Sequence, residues 1–327
     1  MNSSTDPSSG HVEHAVQALT DFNRINDSRS AKPEARFALN YLDAFGYLGK
    51  ELSGWTDISL GDIVNAVSAF QKFFGLKESG QIDAKTVRAM ELQRCGCPDL
   101  VQPDTASGAQ YMKMKQFAEL NLPRWRKTSI KYCITDYVSG LGKIEQDAIL
   151  QEAFNRWMRV AKLNIEKARS GESCDILIGT GQGQKSNFDG SGGVLAWAYL
   201  PDGSDQQLQM RFDVDETWIT DPNQRGILMM NVACHEFGHL LGLDHSKVGS
   251  ALMAPYYNVN ISGPQGNDDV PRIQARYGPP DNVPPPTPVP PTVPVPPGPT
   301  TPSTPGNKSF LLIEGATGIF LDGKKIA

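Results

Sequence analysis

Three histidines fall within eleven residues, in the run His235-Glu236-Phe237-Gly238-His239-Leu240-Leu241-Gly242-Leu243-Asp244-His245, and no other feature of the 327-residue chain constrains its fold as tightly. On a helix, residues four apart differ by only ~40° in direction, so His235 and His239 project from one face. Two neutral imidazoles so placed can take two corners of a zinc tetrahedron. Gly242 lets the chain turn out of the helix without Cβ strain and brings His245 round as a third ligand. Three protein ligands leave one coordination position open, the mark of a catalytic rather than a structural zinc. Glu236, next to the first imidazole, is placed to act as the base toward a water there. A merely His-rich buried helix is the plain alternative, but the chain has only five histidines and spends three of them here.

The rest of the chain divides by texture. Residues 1–34 are a polar extension with a modest amphipathic stretch from Val12 to Phe22. From Ala35, apolar residues recur at helical intervals through Phe37, Leu39, Leu42, Phe45 and Leu48, and again through Ile63, Val64, Val67, Phe70, Phe73 and Phe74. A short third helix follows the N-cap residue Asp83. Residues 35–99 therefore read as a small three-helix bundle, and 100–122 as a connecting segment. Within 123–278, strands are expected at Ser129–Ile134, Ile176–Ile178, Val194–Tyr199 and Gln209–Phe212, with helices at 144–161 and from about Asn223 to Leu243. That order indicates an α+β or α/β domain with a mostly parallel sheet. Residues 279–306 hold fourteen of the chain's 24 prolines, a semi-rigid spacer of ~80 Å if extended. The last residues, 307–327, are too few for a core of their own; a hairpin of Ser309–Glu314 with Gly318–Leu321 is expected there.

The extended histidine run, with Met253 in Ser250-Ala251-Leu252-Met253-Ala254-Pro255-Tyr256-Tyr257, resembles the metzincins, whose methionine turn lies under the zinc. Ser246 after the third histidine is similar to the matrixin branch. So are Trp125-Arg126-Lys127-Thr128, the stretch from Phe188 to Ala196, and Ile273-Gln274-Ala275-Arg276-Tyr277-Gly278. The resemblance covers about Tyr41 to Gly278. It implies an α+β catalytic domain with a twisted, mostly parallel five-stranded sheet, long helices and a C-terminal helix, preceded by a peptidoglycan-binding-like prodomain. It also implies a secreted, monomeric endopeptidase that acts on extended or matrix-type proteins. Its substrate pocket would be walled by Leu195, Ala196, Pro255 and Tyr257. The first residues, Met1 to Gly10, lack the apolar stretch of a secretory signal.

Five cysteines leave at least one sulfur unpaired. Arg94-Cys95-Gly96-Cys97-Pro98-Asp99 is similar to the cysteine switch that closes matrixin propeptides. The resemblance implies that the Cys95 thiolate fills the open zinc position in a latent form, that Arg94 and Asp99 pair to fix the loop, and that an activating protease cuts between Asp99 and Pro123. Cys97 stands where the family usually has an apolar residue and competes for the role. Half of a zinc knuckle and a local disulfide are the alternatives for the two thiols. Cys133 and Cys174 lie on strands that are neighbours in the matrixin sheet, so their pairing is conceivable. Cys234 reads as a small buried residue.

Elsewhere the family pattern is broken. The three histidines and one aspartate that commonly hold a second, structural zinc correspond to Gln182, Gln184, Trp197 and Arg211, none of which can replace them. That zinc is expected to be absent. The calcium pattern survives: Asp189, Asp213 and Glu216 supply carboxylates, with carbonyls of Gly190, Gly192 and Val194. A net charge of −5 gives no reason to expect nucleic acid, and no apolar run approaches the ~20 residues of a membrane span. The competing function is a cell-wall or matrix binder in which the bundle gives glycan targeting; a degenerate, inactive protease is disfavoured by the intact base and latch.

Overall fold

The computed structural model describes residues 33–48, 58–100, 124–183, 187–281, 320–321 and 324–325. They fall in two compact units that divide between Val283 and Pro284. The stretches Val12–Phe22 and 101–123, Gln184 and the proline spacer beyond Asp281 lie outside the described residues.

The larger unit begins with three helices, α1 (Pro33–Ala44), α2 (Leu60–Phe73) and α3 (Ala84–Met90). A capping box starts α2: Ser59 Oγ accepts from Asp62 N at 3.2 Å, and Ser59 N donates to the Asp62 carboxylate at 3.0 Å. Ile63, Ala66, Val67 and Phe70 face inward, the helical stripe that the sequence showed. Asp83 caps α3 through the amides of Lys85 and Thr86. The fully buried Gln71 ties α2 to the following turn, donating to Thr86 and Ser79 and accepting from the amides of Ser79 and Gly80.

The remaining elements are β1 (Arg94–Cys95), β2 (Ser129–Ile134), α4 (Lys143–Met158), β3 (Asn164–Lys167), β4 (Ile176–Gly181), β5 (Val194–Ala198), β6 (Leu208–Asp213), β7 (Trp218–Ile219), β8 (Ile227–Leu228), α5 (Met229–Leu240) and α6 (Asp269–Tyr277). The main sheet has the order β1-β5-β6-β4-β2-β3. Only the β5–β6 pairing is antiparallel. The five strands expected of the fold are all present, and a sixth is added: β1 pairs with β5, in parallel. Behind the sheet, α4 lies on α5. Leu150, Ala153, Phe154 and Trp157 of α4 are buried, Phe154 stacks on Phe237 with centroids 3.6 Å apart, and the Trp157 indole donates to Cys234 O at 2.9 Å.

One expectation needs correction. The helix carrying the histidines starts at Met229, not near Asn223, because Ile227–Leu228 pairs in parallel with Trp218–Ile219. Gly226 makes that approach possible: its φ is +150°, and a Cβ there would lie 2.4 Å from Thr217 O. In the smaller unit an antiparallel pairing joins β9 (Phe320–Leu321) to β10 (Lys324–Lys325); Ser309–Glu314, the first arm of the expected hairpin, lies outside the described residues. Arg211 donates to the carbonyls of Leu177 and Met210 and to Gln209. Cys133 on β2 and Cys174 before β4 form a disulfide, with Cα atoms 5.8 Å apart.

Candidate metal centre

The centre is built by one helix and the turn that leaves it. His235 and His239 lie one turn apart on α5, with ring centroids 4.9 Å apart. The helix ends at Leu240, and Gly242 takes φ +95°, which a side chain would resist. Leu243 N then donates back to Gly238 O at 2.9 Å. The turn swings His245 to 4.8 Å from the His239 ring and 5.4 Å from that of His235.

Each imidazole is oriented through Nδ1. That of His235 donates to Leu252 O at 2.7 Å, that of His239 to Leu243 O at 2.6 Å, and that of His245 to the Asp99 carboxylate at 2.7 Å. With the proton on Nδ1, each Nε2 presents a lone pair to the centre. The Nε2 atoms of His235 and His245 are buried and have no hydrogen-bond partner, as are both carboxylate oxygens of Glu236. Orphaned buried nitrogens of this kind fit a cation. Burial also holds His235 and His245 below the ordinary imidazole range and pushes Glu236 up to about 8. Neutral imidazoles are the form that binds a metal.

The fourth corner holds sulfur. One ligand atom from each of Cys95, His235, His239 and His245 lies within 4.8 Å of the others, and Cys95 Sγ stands 3.4 Å from His239 Nε2. β1 holds the thiol there. Arg94 N donates to Gly193 O, Cys95 N to Pro255 O, and Gly96 N to Ala196 O, at 2.8–2.9 Å, and Tyr257 N donates back to Gln93 O at 2.8 Å. Arg94 and Asp99 form the expected pair, at 2.6 and 3.0 Å, with side chains 3% and 0% exposed. The guanidinium lies 3.4 Å from the Phe45 ring centroid and also donates to Tyr41, while Tyr47 donates to Asp99 at 2.8 Å. Asp99 thus joins the bundle to His245.

Against α5 at Gly238 lies Met253, fully buried. A Cβ at Gly238 would fall 2.2 Å from its sulfur and 3.0 Å from Trp157. Gly238→Ala should ordinarily favour a helix by roughly 1 kcal/mol; here overpacking of about 1–3 kcal/mol wins, and the variant is expected to melt below wild type. A melting temperature equal to or above wild type would refute this role for Gly238.

One supporting residue was missed in the sequence. Asp269, at the start of α6 and fully buried, accepts from the amides of Leu252, Met253 and Gln265 at 2.7, 3.1 and 2.8 Å. It fixes the turn that carries both Met253 and the carbonyl that orients His235. Its only sequence signal is an acid in a helical first turn, which is too common to single it out. Cys97 also comes closer than its apolar family position suggested: its sulfur, Cys95 Sγ, a Glu236 oxygen and a His239 nitrogen lie within 4.8 Å of one another. Cys234 is buried in α5, as expected.

Beside the centre is a pocket lined by Leu195, Val232, Leu252, Pro255, Tyr257 and Ile261, among others. Ala196, expected as a wall, is instead part of the β5 edge that receives Gly96. Of the acidic set, Asp213 and Glu216 are buried, and burial together with the neighbouring Asp189 charge raises both above the usual carboxylate range. Asp213 Oδ2 is buried without a partner. Glu216 accepts from Gly192 N at 2.5 Å and Asp189 from Val194 N at 2.9 Å. Among the described residues these carboxylates do not form a group of three within 4.8 Å, as those at the imidazoles do. Gln182 donates to Asp215 at 2.9 Å, and Trp197 packs 5.1 Å from Tyr199.

A family model described as Matrixin matches residues 124–278, and one described as Putative peptidoglycan binding domain matches residues 32–90. Stromelysin-1 of Equus caballus is 38% identical over 253 residues, which are 75% of this chain and 49% of the relative. Interstitial collagenase of Equus caballus is 37% identical over 223 residues, 67% of this chain and 44% of its own. Matrix metalloproteinase-16 of Homo sapiens is 36% identical over 234 residues, 67% of this chain and 37% of its own. The chain spans half or less of the length of these curated relatives.

Proposed function

This chain belongs to the matrixin family, and we propose that it is the latent form of a zinc metalloendopeptidase that hydrolyses extended, matrix-type proteins. The observation that carries the reading is the set of three Nδ1-anchored imidazoles whose Nε2 atoms converge, with the Cys95 sulfur, on one point. His235, His239 and His245 would hold the zinc, with Cys95 as fourth ligand in the latent form. Zinc bound there supplies Lewis acidity, lowering the pKa of water from ~16 to ~7 and polarising a carbonyl.

The chain's own residues do the rest. Glu236 carries two unpartnered oxygens at the metal pocket; it takes the proton of the attacking water and passes it to the leaving amine. Substrate would lie along β5 in the slot that β1 occupies, since only there do Ala196 O on one side and Pro255 O on the other both face an extended chain. The apolar pocket of Leu195, Pro255 and Tyr257 would take the side chain after the scissile bond. An activating protease would cut within 100–122. Cys133–Cys174 supports secretion, since such bonds persist in oxidising compartments.

Glycan targeting by the bundle is not favoured, because Tyr41, Phe45, Tyr47, Phe70 and Phe73 are buried in its core and, among its described aromatic residues, Phe37 alone is exposed. Phe74, at the edge of that core, meets Tyr256 with ring centroids 6.0 Å apart. Zinc content and peptidase activity, measured before and after removal of the propeptide, test the function. One zinc throughout, with activity only after removal, is expected; activity without zinc, or none after removal, would refute it.

Calcium is proposed at Asp189, Asp213 and Glu216, with carbonyls of Gly190, Gly192 and Val194, supported by the unpartnered Asp213 oxygen. At 100 times Kd, calcium adds about 2.7 kcal/mol, or roughly 5–10 °C in melting temperature for a domain of this size. Asp213→Asn should lose that shift. A melting temperature indifferent to calcium would exclude the site.

A further inference from the structure

We propose that Cys97 is a second, interchangeable sulfur ligand for the metal, so that the latch is a dithiol rather than a single thiol. The proposal rests on the reading of the pocket as a zinc site. Cys95 ends β1 and Cys97 follows across the bend at Gly96, yet both sulfurs lie at the metal pocket. Gly96, between them, turns the other way: a Cβ there would lie 2.7 Å from Val194 Cγ1 and 3.3 Å from Trp197 Cβ. The spacer must therefore be glycine for the segment to lie flat on β5.

Both sulfurs are buried and free. They lie within 4.8 Å of each other, of a His239 nitrogen and of a Glu236 oxygen. Two thiolates on one zinc at ~2.3 Å are about 3.8 Å apart in a tetrahedron, a spacing comparable with the 4.8 Å within which these two sulfurs lie. Their present roles differ. The amide of Cys97 donates to Cys95 Sγ at 3.3 Å. Cys97 Sγ instead donates to Ala198 O at 3.1 Å, a weak hydrogen bond that turns it toward β5. If the Cys95 sulfur is lost, the Cys97 thiol would give up that weak bond, lose its proton to solvent and supply the sulfur ligand in its place, while β1 remains held by β5 and Pro255.

The test uses the full chain with cobalt in place of zinc, reading the sulfur-to-cobalt charge-transfer absorption and, separately, latency. Cys95→Ser and Cys95→Ala are expected to keep at least half of the wild-type absorption and to stay latent. Cys97→Ser should keep all of it, and the double variant C95S/C97S should lose it entirely. The proposal is overturned if the single Cys95 variants are as bare of that absorption as the double variant. Cys95→Ala supplies the measurement if Cys95→Ser does not fold. A wild-type protein that lacks the absorption would refute the thiol latch of the preceding section as well, so the two failures are distinct.

Discussion

Replacing Glu236 with glutamine is expected to leave zinc content at the wild-type level while lowering the kcat of the propeptide-free enzyme by roughly 10²–10⁴-fold, the range ascribed to a positioned general base. Glutamine keeps the shape of the side chain but cannot take a proton. The three ring nitrogens are untouched, so metal analysis should not change; a variant that retains zinc and cuts peptide at the parental rate would remove Glu236 from the mechanism. The same substitution has a second, opposite signature in metal-free protein. Burial raises the folded-state pKa of Glu236 to about 8, above the ~4.3 of an unfolded chain. A carboxyl raised in this way contributes stability that is present below the unfolded value and is lost as pH rises through the folded one. Chelated wild type should therefore weaken between about pH 4 and pH 8 more than chelated Glu236→Gln. Urea midpoints at pH 5 and pH 8 measure the difference.

Asp99→Ala is expected to open the latch. Asp99 is the shared partner of Arg94, Tyr47 and His245, all of them buried. Removing it strands a guanidinium in the interior and leaves His245 Nδ1 without its acceptor. Breaking one side of a buried charge pair costs about 3–5 kcal/mol, which corresponds to a shift of roughly two to four orders of magnitude in the closed-to-open ratio. Alkylation of Cys95 by a small iodoacetamide should accelerate accordingly in the full chain, and peptidase activity should appear without cleavage. Protection equal to wild type would show that Asp99 does not hold the latch. Acid should act in the same direction. Burial alone would raise Asp99, but Arg94 and His245 hold it well below the usual carboxylate range. Its contribution is present above the unfolded value of ~3.9 and disappears as pH falls through the lower folded value. Latency should therefore survive mild acid and fail only in strong acid.

Legibility in the sequence followed the range of the forces involved. The metal-binding helix and its exit turn were readable because their requirements are local: two imidazoles four apart, a glycine where φ turns positive, and a third imidazole just beyond. Amphipathic helices α2 and α4 were readable for the same reason, from apolar residues at helical spacing. The start of α5 was not, since the apolar run Ile227–Met230 suits strand and helix alike, and only β7, nearby in space, decides between them. β1 could not be seen at all: two residues have no period, and their strand character comes entirely from the β5 edge and Pro255. Asp269 and the carbonyls that orient His235 and His239 belong to tertiary packing, which residue types do not announce. Cys133–Cys174 was conceivable only by resemblance and needed coordinates to bring the two Cα atoms to 5.8 Å.

The seating of β1 between β5 and Pro255 also makes latency a question of tethering. While the chain is continuous, Arg94 to Gly96 meet the cleft at the effective concentration of a linked peptide, on the order of millimolar, and an incoming polypeptide must outcompete a neighbour that never leaves. One cut in the connecting segment leaves every contact of β1 in place but turns it into a separate molecule, free to dilute. Nicked protein should accordingly remain quiet when concentrated and awaken on dilution, as β1 leaves the cleft.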